Sequence, residues 1–108
     1  MKQLVFSPAA LSSLEDILFE TIAAFGDAQA ERYSRQLAAR LDALASGSPP
    51  HAISCSRLLQ GNRDAKGLKY YREGRHYLIL RESSDTLELV EVFHERMQIE
   101  ARLQELEI

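Results

Sequence analysis

The chain has 108 residues, 45% of them hydrophobic and 27% charged, with a formal net charge of −3. That length holds one domain with one modest core and excludes a second. No apolar run approaches the roughly 20 residues that a membrane helix needs, and the net acidity argues against a generic nucleic-acid coat.

In chain order, Lys2–Phe6 has the length and composition of a short strand. Ser7-Pro8 then opens a helix: Ser7 can accept hydrogen bonds as its cap, and Pro8 fits the first helical position, where no N–H is needed. Leu11, Leu14, Ile17, Leu18, Ile22 and Phe25 recur at steps of three and four, which predicts an apolar face. Gly26 ends this helix and Asp27 is expected to cap the next. The second helix shows Ala30, Tyr33, Leu37, Leu41 and Leu44 on one face and stops at Ser46-Gly47-Ser48-Pro49-Pro50. Two amphipathic helices joined so closely must form an antiparallel hairpin, with Leu18 and Leu41 in its buried stripes.

The stretch from Gly47 to Gly67 is long for a structureless loop. Leu58-Leu59 is expected to tuck into the core from a short turn of helix, with Gly61–Asp64 exposed. Two strands joined by a turn at Glu73-Gly74 then cover about 68–72 and 76–81, and a third follows Ser83-Ser84-Asp85 over about 87–93. Met97–Leu106 is expected to close the chain as a helix. The order is strand, helix, helix, three-stranded antiparallel meander, helix: an α+β domain with its helices packed on one sheet face, the strand order left open by pattern alone.

The expected setting is cytoplasmic, since nothing at the start resembles a secretory leader. Cys55, the only cysteine, sits in Ser54-Cys55-Ser56 with no His or Cys at metal-ligand spacing. An inert thiol is expected, and no metal or cofactor. Charge is partitioned along the chain. Residues 1–50 carry four basic and six acidic side chains (−2), residues 51–81 seven against two (+5), and residues 82–108 two against eight (−6). Arg57, Arg63, Lys66, Lys69, Arg72, Arg75 and Arg81 make the middle segment basic, either as water-facing strand residues that blunt sheet edges or as contacts for an acidic partner.

This arrangement resembles the RelE/ParE superfamily of type II toxin–antitoxin toxins, the ParE branch in particular, from about Leu4 to Leu103 as a single domain over residues 1–108. Phe6-Ser7-Pro8-Ala9-Ala10-Leu11 through Asp16-Ile17 is similar to the family's opening strand and helix. Leu68–Tyr71 with Gly74-Arg75-His76-Tyr77-Leu78-Ile79-Leu80-Arg81 is similar to its hairpin, and Val90–Met97 to its closing strand, which ends His-x-x-Met. Leu80 stands where an aromatic is common, and Glu91 where Arg is frequent.

The resemblance implies a growth-arresting toxin, of two kinds. The ParE-like kind inhibits DNA gyrase by binding and has no catalytic residues; Arg57, Arg63, Lys66, Arg96, Met97 and the helical tail are its target-contact candidates. The RelE-like kind cuts ribosome-bound mRNA, with Lys69, Arg72, Arg81, His94 and Arg96 as candidates for acid–base and charge-offsetting work. The plainer reading of His94 is a cap where the strand leaves the sheet, satisfied by a backbone carbonyl. Either kind implies a hetero-oligomer with a ParD-like or similar antitoxin, whose segment would lie over the hairpin and along the sheet near Lys69, Arg72, Arg75 and Tyr77. A third reading is a non-toxic protein-interaction module.

Overall fold

The computed structural model describes residues 1–58 and 67–106. Strand β1 (Gln3–Phe6) leads into helices α1 (Pro8–Phe25) and α2 (Asp27–Ala45). A two-residue strand β2 (Ile53–Ser54) and a 3-10 turn (Cys55–Arg57) follow. Strands β3 (Leu68–Glu73), β4 (His76–Glu82) and β5 (Thr86–His94) and helix α3 (Ile99–Glu105) complete the order. The sheet runs β1-β5-β4-β3-β2, with β1 parallel to β5 and the other pairs antiparallel.

Ser7 joins the helical hairpin to the sheet. Its hydroxyl accepts from the Ala10 N–H at 3.0 Å, as the expected cap, and donates to the Val90 carbonyl at 2.6 Å. That carbonyl is available because β5 bulges there: Leu80 pairs with Leu89 and Ile79 with Glu91, leaving Val90 as the extra residue. Gly26 ends α1 at φ +88° and itself precedes α2, so Asp27 is the first helical residue rather than a side-chain cap.

Two apolar layers sandwich the sheet. On the hairpin side, Ala10, Ile17, Leu37, Leu41 and Leu44 pack with Leu78, Leu80, Leu87, Leu89 and Val92. On the other side, Cys55, Leu68, Ile79, Phe93 and Leu103 form a second cluster, with Leu58 packed against it. The expectation of helices on one face is corrected accordingly, since α3 covers the opposite face. The reason lies in β4, where Leu78, Ile79 and Leu80 are all fully buried. A central strand with apolar residues on both faces needs cover on both. Leu59 lies outside the described residues.

A second correction concerns α1. Its inward row is Ala10, Leu14, Ile17 and Thr21, whereas Leu11, Leu18 and Phe25 lie roughly 90° around the helix. Leu11 is 52% exposed, Leu18 37% and Phe25 69%, and Phe19 is also open at 67%. The α2 stripe is as expected, with Ala30, Leu37, Leu41 and Leu44 buried. Among the described residues, no helix is long and apolar enough to cross a membrane.

Candidate functional site

Leu11 and Leu18 of this side row border a groove of about 570 Å³ between α1, α2 and β1. Leu11, Leu14, Leu18, Leu37, Leu4 and Phe6 line it, with Glu15, Ser34 and Asp42 among its polar members. Apolar side chains of this size left in water beside a groove mark a surface for protein contact.

Past Ile17, Thr21 and Tyr33, which line both, a second cavity of about 430 Å³ opens between the hairpin and the β3–β4 turn. Here β4 begins with His76, its side chain directed to the hairpin by the alternation that also buries Leu78 and Leu80 there. His76 Nδ1 lies 2.6 Å from the Tyr33 hydroxyl, which lies 3.1 Å from the Glu73 carbonyl. Both contacts are satisfied when Nδ1–H donates to the Tyr33 oxygen and the Tyr33 O–H donates to Glu73. Burial, and then the neighbouring His94, push the His76 imidazole down to about 4, against an opposing pull from Glu95. Burial also raises Tyr33, keeping its hydroxyl protonated.

His94 pairs across the sheet with His76, the rings edge to face at 5.2 Å. It does cap the end of β5, but in the opposite sense to that expected: its Nδ1 accepts from the Arg96 N–H at 3.0 Å. Gly74, at φ +58°, makes this junction possible, since a Cβ there would sit 2.8 Å from the Tyr33 hydroxyl oxygen. Gly74→Ala is therefore expected to cost about 1–3 kcal/mol, read as a lower denaturation midpoint.

The other candidates are dispersed. Lys69 and Tyr71 point to the hairpin side and Tyr70 and Arg72 to the other, as alternation requires. Tyr77 and Arg81 also face away from the hairpin, so the sheet lies between His94 and both Arg72 and Arg81. Lys69 pairs with Glu82 and Arg72 with Glu95, while Arg81 pairs with Glu88. Two lysines, Lys2 and Lys69, hold the Glu82 carboxyl down to about 2. Of the four antitoxin-contact candidates, Arg75 alone lines either hairpin cavity. Arg57, Arg96 and Met97 are exposed, whereas Arg63 and Lys66 lie outside the described residues. Cys55 is fully buried, and burial raises its thiol to about 11, so it stays protonated. Among the described residues no group of three metal-ligating side chains converges.

The family model described as the ParE toxin of the type II toxin–antitoxin system parDE matches residues 4–99. The chain belongs to the ParE toxin family. Toxin ParE1 of Mycobacterium tuberculosis is 32% identical over 100 residues, spanning 92% of this chain and 95% of that protein. The same-named protein of a second strain matches equally. A solved structure, the chromosomal ParDE TA system from P. aeruginosa, shares the fold with a TM-score of 0.66 at 11% identity, over 87% of this chain and 96% of that one. This ParE-family chain is thus the toxin component of a type II toxin–antitoxin system, built as a helical hairpin on a sheet.

Proposed function

We propose that this ParE-family toxin acts by binding DNA gyrase, and that a ParD-like antitoxin neutralises it by laying an amphipathic segment in the groove between α1, α2 and β1. The observation that carries the reading is the open apolar row with Leu11 and Leu18 at that groove and Phe25 at the adjoining cavity, with Phe19 also open. Covering such a row removes apolar area from water, and a segment that folds as it binds can follow the whole groove. The ion pairs of Lys69, Arg72 and Arg81, and the sheet lying between His94 and both Arg72 and Arg81, support binding over RNA cleavage. Arg57, Arg96 and Met97, exposed away from the groove, are the proposed gyrase contacts.

Induced expression in a bacterium is expected to bring filamentation and a DNA-damage response, and the purified protein is expected to inhibit gyrase supercoiling. His94→Ala should leave that inhibition largely intact, and Arg57→Glu with Arg96→Glu should weaken it. Deleting residues 98–108 is a poor probe because it removes Leu103 from the second core. Cuts in ribosome-bound mRNA that vanish in the His94 variant would replace this reading with nuclease chemistry, where a lost acid–base group costs about 10²–10⁴-fold.

Leu18→Glu tests the antitoxin half. A carboxylate buried against an apolar segment without a partner should weaken antitoxin binding roughly a hundredfold or more, leaving toxicity unrestrained in co-expression. Undiminished affinity, measured by titration calorimetry, would remove the groove from the interface.

A further inference from the structure

Around the β3–β4 hairpin, Lys69, Arg72 and Arg81 each have a carboxylate partner. Arg75, in the turn, makes no ion pair among the described residues. It lines the 430 Å³ cavity together with His76, His94, Tyr33, Ile17 and Phe25. The nearby acids are committed elsewhere: Glu73 binds Arg40 and Gln36, and Glu95 binds Arg72. Glu20 also lines the cavity but does not pair with Arg75.

We infer that this cavity is a carboxylate-binding site, and that its occupant is an acidic residue flanked by an apolar one, carried on the antitoxin segment that fills the adjoining groove. The occupant's identity rests on the antitoxin reading above; the cavity's chemistry does not. Two donors serve a carboxylate there as the site stands, and His76 supplies a third once protonated. Arg75 offers its guanidinium fork. His94, with Nδ1 already accepting from Arg96, has Nε2–H left to donate. His76, with Nδ1 engaged by Tyr33, has Nε2 left to take up a proton, a change that an arriving negative charge favours.

The charge balance selects the anion. Arg75 and Glu20 are the only formally charged members of the lining, so a phosphate dianion meets repulsion that a monoanion largely avoids. Ile17, Ala24 and Phe25 provide apolar wall for the carbon body that carries the carboxylate. Because Ile17, Thr21 and Tyr33 line both cavities, the groove and this cavity adjoin, and one segment can occupy both.

The full chain would be titrated with N-acetyl-phenylalanine, its amide and inorganic phosphate while the histidine ring signals are followed by NMR. The acid is expected to move the His76 and His94 signals and raise the His76 pKa, and the amide to do neither. Arg75→Gln, a change at an exposed turn position, should weaken the acid about tenfold. Equal responses to acid and amide, a stronger response to phosphate, or a response unaltered in the Arg75 variant would each overturn the site. In a parallel titration with the antitoxin, Arg75→Gln should lower affinity about tenfold. Full affinity in that variant would overturn the assigned occupant. An antitoxin that fails to bind the unmodified toxin would count against the proposed function, while the acid–amide comparison still decides the cavity.

Discussion

Leu41→Ala is expected to lower the unfolding free energy by about 2–5 kcal/mol, whereas Leu18→Ala should cost less than about 1 kcal/mol in the free toxin. The two leucines come from helices of the same hairpin and both follow an apolar spacing, but their surroundings differ. Leu41 is 3% exposed and packed within the hairpin-side core; Leu18 is 37% exposed at the rim of an open groove. Truncating Leu41 removes apolar area already withdrawn from water and leaves a cavity that backbone hydrogen bonding in α2 and the sheet prevents from collapsing. Truncating Leu18 mostly removes atoms still in contact with solvent. Since a small domain is stable by only about 5–15 kcal/mol, the first change should visibly shift a urea midpoint at unchanged slope. Equal losses would mean that the groove is closed in the free protein. With antitoxin bound, the Leu18 penalty should reappear as lost affinity.

That contrast shows what periodicity reveals and what it does not. In α2 the apolar stripe is narrow, so Ala30, Leu37, Leu41 and Leu44 could be assigned inward from spacing alone, as the structure bears out. In α1 the apolar residues extend well beyond one stripe, so the spacing grouped Leu14 and Ile17, which pack, with Leu11, Leu18 and Phe25, which lie roughly 90° around the helix and stay open. The choice was made by the sheet, through Ala10 and Ile17, whose small or branched side chains fit against β5. The strands of the meander were legible because each is rich in β-branched, aromatic and aliphatic residues and each is bounded by turn chemistry. The pairing of β1 with β5 was not, because a short parallel edge strand carries no local mark of its neighbour.

The site was legible in its halves. His94 stood out as a titratable side chain at the end of a strand, and Arg75 as a basic turn residue. Their partners were less legible: Tyr33 lies within the apolar stripe of α2, and His76 has no role assigned from sequence. One signal was available: inward alternation from Leu78 and Leu80 places His76 on the hairpin face, where a buried imidazole needs a polar partner. The hydroxyl that supplies it comes from a residue 43 positions away in the chain, a distance that only the folded topology closes.

Acid should uncover that imidazole. Its folded value of about 4 lies below the about 6.5 of an unfolded histidine, so between these limits the unfolded chain binds the extra proton. The contribution is therefore fully present above pH 6.5, falls as the pH drops, and is lost below about 4, amounting to at most about 3 kcal/mol. Protonation places charge in a site of 9% exposure beside His94 and the Tyr33 hydroxyl, with only Glu95 favouring it. The Glu82 carboxyl, held down to about 2 by Lys2 and Lys69, loses its own contribution from about pH 4.5 downward and so adds only at the acid end of this window. Urea unfolding measured at intervals from pH 7 to pH 4 should show stability falling, and His76→Gln should remove most of that slope whatever its effect at pH 7. A slope unchanged in the variant would mean that protons enter elsewhere, and that the Tyr33–His76 junction does not hold the hairpin to the sheet in its neutral form.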